Sequence, residues 1–183
     1  MPSALLVMDF QTGVVERFGS TEVVRKAREA VDAARARGFP VVFVRVGFRD
    51  GAPEVSPRNK SFSALGAEGG MGQGSPATQV VPELEPLGSD VVVVKRRVSA
   101  FTGSDLEVVL RSADVDHLVL AGIATSGVVL STLREAADRD YQLTVLSDAC
   151  LDRDPEVHRV LTEKVFPRQA DVVTVAEWAA GLG

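Results

Sequence analysis

His117-Leu118-Val119-Leu120-Ala121-Gly122-Ile123-Ala124-Thr125-Ser126-Gly127-Val128 is the stretch that decides the fold class of this chain. A continuous apolar run passes into a turn of small residues and then into a helical pattern from Ser126 to Arg139. An apolar run of that length reads as a strand covered on both faces and feeding a helix. The same unit recurs on either side. Leu5-Leu6-Val7-Met8 ends on Asp9-Phe10-Gln11, and Val91-Val92-Val93-Val94 ends on Lys95. Strand-like runs fall at about residues 4–9, 40–46, 90–95, 116–121, 142–147 and 171–175. Between them, Thr21 to Arg37 places Val23, Val24, Ala27, Ala30, Val31 and Ala34 at helical spacing, with Ser20 or Thr21 to cap it and Gly38 then Pro40 to end it. Ser104 or Asp105 to Ser112, with Leu106, Val109 and Leu110 on one face, and Pro155 to Phe166 complete the helical set. Alternation of this kind predicts an α/β fold with a doubly wound sheet.

Composition sets the outer bounds. A chain of 183 residues, 45% of them apolar, suits a single domain over 1–183 with a sizeable core. A net charge of −5 gives no nucleic-acid footprint, and no run of 18 or more apolar residues points to a membrane. The opening residues show no basic stretch followed by an apolar segment and cleavage site, so no secretory leader is expected. With Cys150 as the single cysteine, an internal disulfide is excluded, which fits a reducing, cytoplasmic setting.

One stretch breaks the rhythm. From Gly47 to about Thr78 no period holds, and Gly66, Gly69, Gly70, Gly72 and Gly74 fall close together. A long Gly-rich loop at 47–78 is either a tolerated surface insertion or mobile linker, or a lid or subunit-contact loop.

In an open α/β sheet, ligands bind outside the carboxyl ends of the strands. Asp9, Lys95 and the turn Ile123, Ala124, Thr125, Ser126, Gly127, Val128 all stand at such ends. Taken alone, a strand-terminal Asp is more often a turn residue, and Lys95-Arg96-Arg97 reads as a solvated strand exit. Together Asp9 and Lys95 suggest an ion pair in a cleft, where the ammonium favours the carboxylate and burial disfavours it. The turn could present backbone N–H groups to an anion or a developing oxyanion, or it could simply be capped by Thr125 or Ser126. Cys150 reads as a small buried apolar residue, and Ser126 has no histidine near it in sequence to act as a base. Gly70-Met71-Gly72-Gln73-Gly74 follows no strand and opens no helix, so it is not a dinucleotide loop. His117 and His158 lack metal-ligand spacing, and neither a metal nor any other cofactor is expected.

These residues carry a resemblance. Leu6-Val7-Met8-Asp9-Phe10-Gln11, Val94-Lys95-Arg96-Arg97-Val98-Ser99-Ala100-Phe101, Ala121-Gly122-Ile123-Ala124-Thr125 and Ser147-Asp148-Ala149-Cys150 resemble, in order, the motifs of the isochorismatase-like hydrolases, also called the cysteine hydrolase family. The resemblance implies a Rossmann-like three-layer α/β/α sandwich with a central six-stranded parallel sheet, a cis peptide between Ile123 and Ala124, and a homodimer or larger homo-oligomer. In members with a thiol, the Asp takes the proton of a Cys that attacks a carbonyl, the Lys assists, and N–H groups of the turn bind the oxyanion. The position of that Cys is Val128 here, which excludes a thioester route at that position. The isochorismatases proper instead hydrolyse a vinyl ether, their Asp protonating the enolpyruvyl methylene carbon, and need no thiol. Some relatives hold a metal through an Asp and histidines after the second strand, but no histidine accompanies Asp50.

The resemblance thus implies a hydrolase acting on a small, anionic metabolite, with Asp9 as general acid/base assisted by Lys95. Phe10, Gln11, Phe48, Arg97 and Phe101 are candidate substrate-binding residues, and Arg45, Arg49, Arg96 and Arg97 could bind carboxylates. Two alternatives stay open: a catalytically inactive small-molecule-binding or scaffold protein, and water-mediated hydrolysis of an amide or imine with Asp9 as base.

Overall fold

A computed structural model describes residues 2–68 and 70–182, the side chains of 66–68 excepted; Gly69 of the Gly-rich stretch lies outside the described residues. Six strands, β1 (Ser3–Met8), β2 (Val41–Val46), β3 (Val91–Lys95), β4 (His117–Ile123), β5 (Gln142–Leu151) and β6 (Asp171–Val173), form one parallel sheet in the order β3-β2-β1-β4-β5-β6. Among the described residues seven α-helices accompany them: α1 (Thr12–Phe18), α2 (Thr21–Ala36), α3 (Lys60–Glu68), α4 (Leu106–Ser112), α5 (Leu130–Asp138), α6 (Pro155–Val160) and α7 (Val175–Gly181). None of the described helices is long and apolar enough to cross a membrane.

Alternation along the strands builds two cores. Leu5, Val7, Val41, Phe43, Val119 and Ala121 face α2 and α7, whereas Leu6, Met8, Val42, Val44, Leu118 and Leu120 face α4 and α5. Each fully buried Leu or Val of this kind is worth about 1.5–3 kcal/mol relative to exposure. The expected face of α2 is the buried one, Val23, Val24, Ala27, Ala30, Val31 and Ala34. Ser20 caps its start and Gly38, at φ +69°, turns the chain out of it, a conformation that glycine adopts without a Cβ penalty.

The strand order places the site. After β1 the chain enters the α2 face, and after β4 it enters the α5 face. The connections therefore diverge at the carboxyl ends of two neighbouring strands, and a crevice opens between them. Gly122 lets β4 come close to β1 there: a Cβ on it would sit 3.1 Å from the Met8 carbonyl oxygen and 3.0 Å from a Val129 methyl.

Four departures from the sequence reading have local causes. β5 continues to Leu151 past the polar Ser147 and Asp148, shifting register against β4 between Leu120 and Gly122. The helix expected from Ser126 begins as a widened turn over Thr125–Val129, non-helical at Gly127, before α5. The 47–78 stretch is not structureless: Asn59 accepts from the Phe62 N–H and starts α3. Two further helices were not expected, the short α1 and the C-terminal α7, the latter held by a capping box between Thr174 and Glu177.

Candidate active site

Asp9 leaves β1 with a left-handed backbone (φ +60°), a region where Asp is tolerated better than most residues, and its N–H closes the ladder onto Val44 O at 2.8 Å. Lys95 ends β3, two strands away, roughly 9–10 Å across the sheet. Its long stem bridges β2 beneath the sheet end and is 1% exposed. The ammonium lies 3.0 Å from Asp9 Oδ2 and donates to Arg97 O at 3.0 Å and Val98 O at 2.8 Å, which engages all three of its protons. The pair expected from the sequence therefore forms, and the strand exit folds back to hold it.

Two influences oppose each other at Asp9. Burial pushes its carboxyl above the ordinary 3.8, and the Lys95 charge and hydrogen bond pull it down; burial is the larger. The carboxyl is accordingly raised. Its second oxygen, Oδ1, is buried without a hydrogen-bond partner among the described residues. That oxygen belongs to a residue lining a cavity of about 300 Å³, at the small end of ligand sites.

The wall of this cavity comes from four places. Asp9, Lys95 and Val46 stand at strand ends, and Ile123, Ala124, Gly127 and Val128 form the turn after β4. Gly13, Val14 and Arg17 come from α1. Ser61, Phe62, Leu65, Gly70, Met71 and Ala77 come from the 47–78 segment, which thus walls the site.

The turn is organised differently from a simple anion cradle. The Ile123–Ala124 peptide is cis. Ser126 N–H donates to Asp152 Oδ2 at 2.7 Å, so the chain itself supplies the anion at that donor. The Thr125 hydroxyl is hydrogen-bonded to His158 Nδ1 at 2.8 Å, and neither Thr125 nor Ser126 caps the turn with its side chain. Val128, 2% exposed, forms part of the cavity wall.

Most of the expected substrate contacts lie elsewhere. Gln11 does line the cavity, but its amide donates to Val46 O and Thr78 O and accepts from Val46 N, each at 2.9 Å. Phe10 and Phe101 are core residues on opposite faces of the sheet, the latter under the Arg139 guanidinium at 4.8 Å. Phe48 packs edge-on against Phe62, 5.7 Å between centroids, behind the wall rather than on it. Arg97 donates to Glu54 O at 2.7 Å and lies over the Phe62 ring. The other arginines also serve the segment: Arg45 donates to Gln73 O at 2.8 Å, Arg96 to Gly47 O, and Arg49 pairs with Glu54 at 3.2 Å. They fasten the wall and do not face the cavity, a choice of partner that sequence spacing does not encode. The guanidinium that does line it, Arg17, was missed along with α1; Gly19, the left-handed residue ending that helix, was the available signal. Among the described residues no group of three His, Cys, Asp or Glu side chains is placed to hold a metal.

Cys150 is 5% exposed, and burial pushes its thiol up to about 12. Residue 128 lines the cavity and Cys150 does not, so we expect a Val128→Cys variant treated with iodoacetamide to be alkylated at residue 128 and spared at Cys150, read by peptide mass spectrometry. Labelling of Cys150 alone would remove residue 128 from the accessible wall.

Comparison with known proteins shows the family and the fold. The model of the Isochorismatase domain matches residues 3–177. An isochorismatase family protein of Bacillus subtilis, YwoC, is 36% identical over 178 residues, covering 96% of this chain and 92% of that protein. The ureidoacrylate amidohydrolase RutB of Stutzerimonas stutzeri is 33% identical over 84% of this chain and 71% of its own length. Among solved structures, an isochorismatase family protein from Burkholderia thailandensis superposes with a TM-score of 0.86 at 31% identity, covering 99% and 95% of the two chains. An N-carbamoylsarcosine amidase from Thermoplasma acidophilum gives 0.79 at 27%, covering 96% and 97%.

Proposed function

This chain belongs to the isochorismatase family of hydrolases, and we propose that it cleaves its substrate without a covalent intermediate, Asp9 supplying the proton and Lys95 holding Asp9 in place. One observation carries this reading: a buried carboxyl with a raised affinity for its proton and an unpartnered oxygen stands beside a valine at the nucleophile's position.

Those features suit the hydrolysis of a small vinyl ether. Asp9 Oδ1 delivers its proton to the methylene carbon as the double-bond electrons form the new C–H bond. The oxocarbenium ion so produced is attacked by water, which returns a proton to Asp9. The hemiketal then breaks its C–O bond to give a ketone and an alcohol. No thiol enters, and the committing step creates a cation rather than an oxyanion. The engagement of Ser126 N–H by Asp152 weighs against acyl transfer but not against this route.

A second reading rests on the relatives with amidohydrolase and amidase in their names: water attack on an amide or imine, with Asp9 as base. The two roles need opposite protonation states, so pH separates them. For an acid whose pKa is raised, kcat is full on the acidic side and falls as pH rises through that pKa; for a base, kcat rises with pH. We expect pyruvate release from isochorismate or a simpler enolpyruvyl ether, with kcat falling toward alkaline pH. Turnover of amides with a rising profile would replace the first reading with the second. Binding of these compounds without turnover of any would make the chain a binding protein with an inherited cleft.

A further inference from the structure

The cavity at Asp9 has a neighbour. Leu65, Gly70 and Met71 line both that cavity and a second one of about 290 Å³ beside it. Phe48, Gly72 and the turn at 49–52 complete the second cavity, the Ala52 N–H closing that turn on Arg49 O at 2.8 Å. Its charged members, Arg49 and Asp50, are exposed, whereas Phe48, Ala52, Leu65 and Met71 give it a hydrocarbon interior. The layer between the two cavities is thin. Gly70 brings no side chain to it, so Leu65 and Met71 fill it, flanked by the edge-on Phe48–Phe62 pair. The main chain is pinned on either side of Met71: Phe48 N–H donates to Met71 O at 2.8 Å, and Gln73 N–H donates to Phe48 O at 2.9 Å. A segment held in that way follows a shortened side chain inward only in part, and a gap stays open in the layer.

We infer that Met71, with Leu65 beside it, sets the length of substrate the site accepts, and that the second cavity is a subsite for a longer apolar tail, opened when either side chain is shortened. The inference rests on the reading of the first cavity as the substrate site, with the reacting end of the molecule at Asp9. A cavity of about 300 Å³ has room for about ten water-sized groups. Joined to its neighbour of about 290 Å³, it has room for about twice as many. Each methylene that passes from water into such a space tightens binding about fourfold. In the wild type, a chain that overruns the first cavity keeps its excess in water and gains nothing from it.

The test is isothermal titration calorimetry with two saturated ethers, 2-ethoxypropanoate, which the first cavity can contain, and 2-decyloxypropanoate, which overruns it. Neither has a double bond to protonate, so binding is read without turnover. The quantity compared is the ratio of decyl to ethyl affinity. It is expected to stay within about twofold in the wild type and in Met71→Leu, which keeps the layer filled, and to rise at least about tenfold in Met71→Ala. Leu65→Ala breaches the same layer from α3 and is expected to raise the ratio in the same direction. Non-specific adsorption of the decyl chain would raise it equally in all four proteins. That result, a ratio unchanged in both alanine variants, or no binding of either ether to any of the proteins overturns the inference. A chain that shows the released length limit but hydrolyses no vinyl ether removes the hydrolytic mechanism alone. Turnover of short enol ethers with the same length preference in the wild type and both alanine variants removes this inference and leaves the hydrolase intact.

Discussion

Asp9→Asn is expected to fold and to lose about 10²–10⁴-fold in kcat, the range attributed to a positioned general acid. The amide keeps a carbonyl oxygen that can accept from Lys95, so the ammonium keeps its three partners. What disappears is a proton that can be transferred. KM should change far less than kcat, because the hydrocarbon wall of the cavity lies outside the substitution. The same variant has a signature in stability. Asp9 binds its proton more tightly in the folded chain than in the unfolded one. Its contribution is therefore present at low pH and declines as pH rises from the ordinary 3.8 through the folded value. Urea melts across that window should slope downward for the wild type and flatten in Asp9→Asn. A variant with full activity would end the role proposed for Asp9.

Lys95→Met is the second large effect, and it falls on stability. Methionine fills much of the space of the stem but leaves Asp9 Oδ2 and the carbonyls of Arg97 and Val98 without their donor. Removing one partner from a buried pair costs about 3–5 kcal/mol, most of it the penalty on the charge left behind. The sign of the pH dependence follows. Without the ammonium the carboxyl rises further, so the penalty is greatest at neutral and alkaline pH and shrinks on acidification as Asp9 takes a proton. Adding Asp9→Asn to Lys95→Met should restore part of the lost stability, since the double variant buries no unpaired charge. Strictly additive losses in urea denaturation would show that the two side chains do not interact as their 3.0 Å separation requires.

The sequence made the sheet and the Asp9–Lys95 pair legible for the same reason. Parallel strands buried on both faces read as unbroken apolar runs, and the residue that ends such a run stands at the ligand-binding edge. Val128, assigned through the resemblance of the turn after β4, lines the cavity. The walls were less legible. α1 has no buried residue to give it a periodic stripe, and α3 lies among glycines that mask its pattern, although Asn59 marked its start. α7 carried a capping box, Thr174 to Glu177, that announced it in full view. The arginines after β2 and β3 were visible as charges, but the carbonyls they seek come from a segment whose path the sequence does not give. Asp152 reaches Ser126 across 26 positions, a contact only the folded chain creates.

Several of the clasps on the 47–78 segment grip its main chain. Arg45 holds the carbonyl of Gln73, Arg97 that of Glu54, and Gln11 that of Thr78. A carbonyl is the same whichever residue bears it, so these grips are blind to the side chains they carry past the reacting group. Residues 61, 65 and 71 can therefore be exchanged, by drift or by a designed library, while these grips on the segment and the Asp9–Lys95 pair stay in place. The architecture separates what the protein accepts from what it does to it.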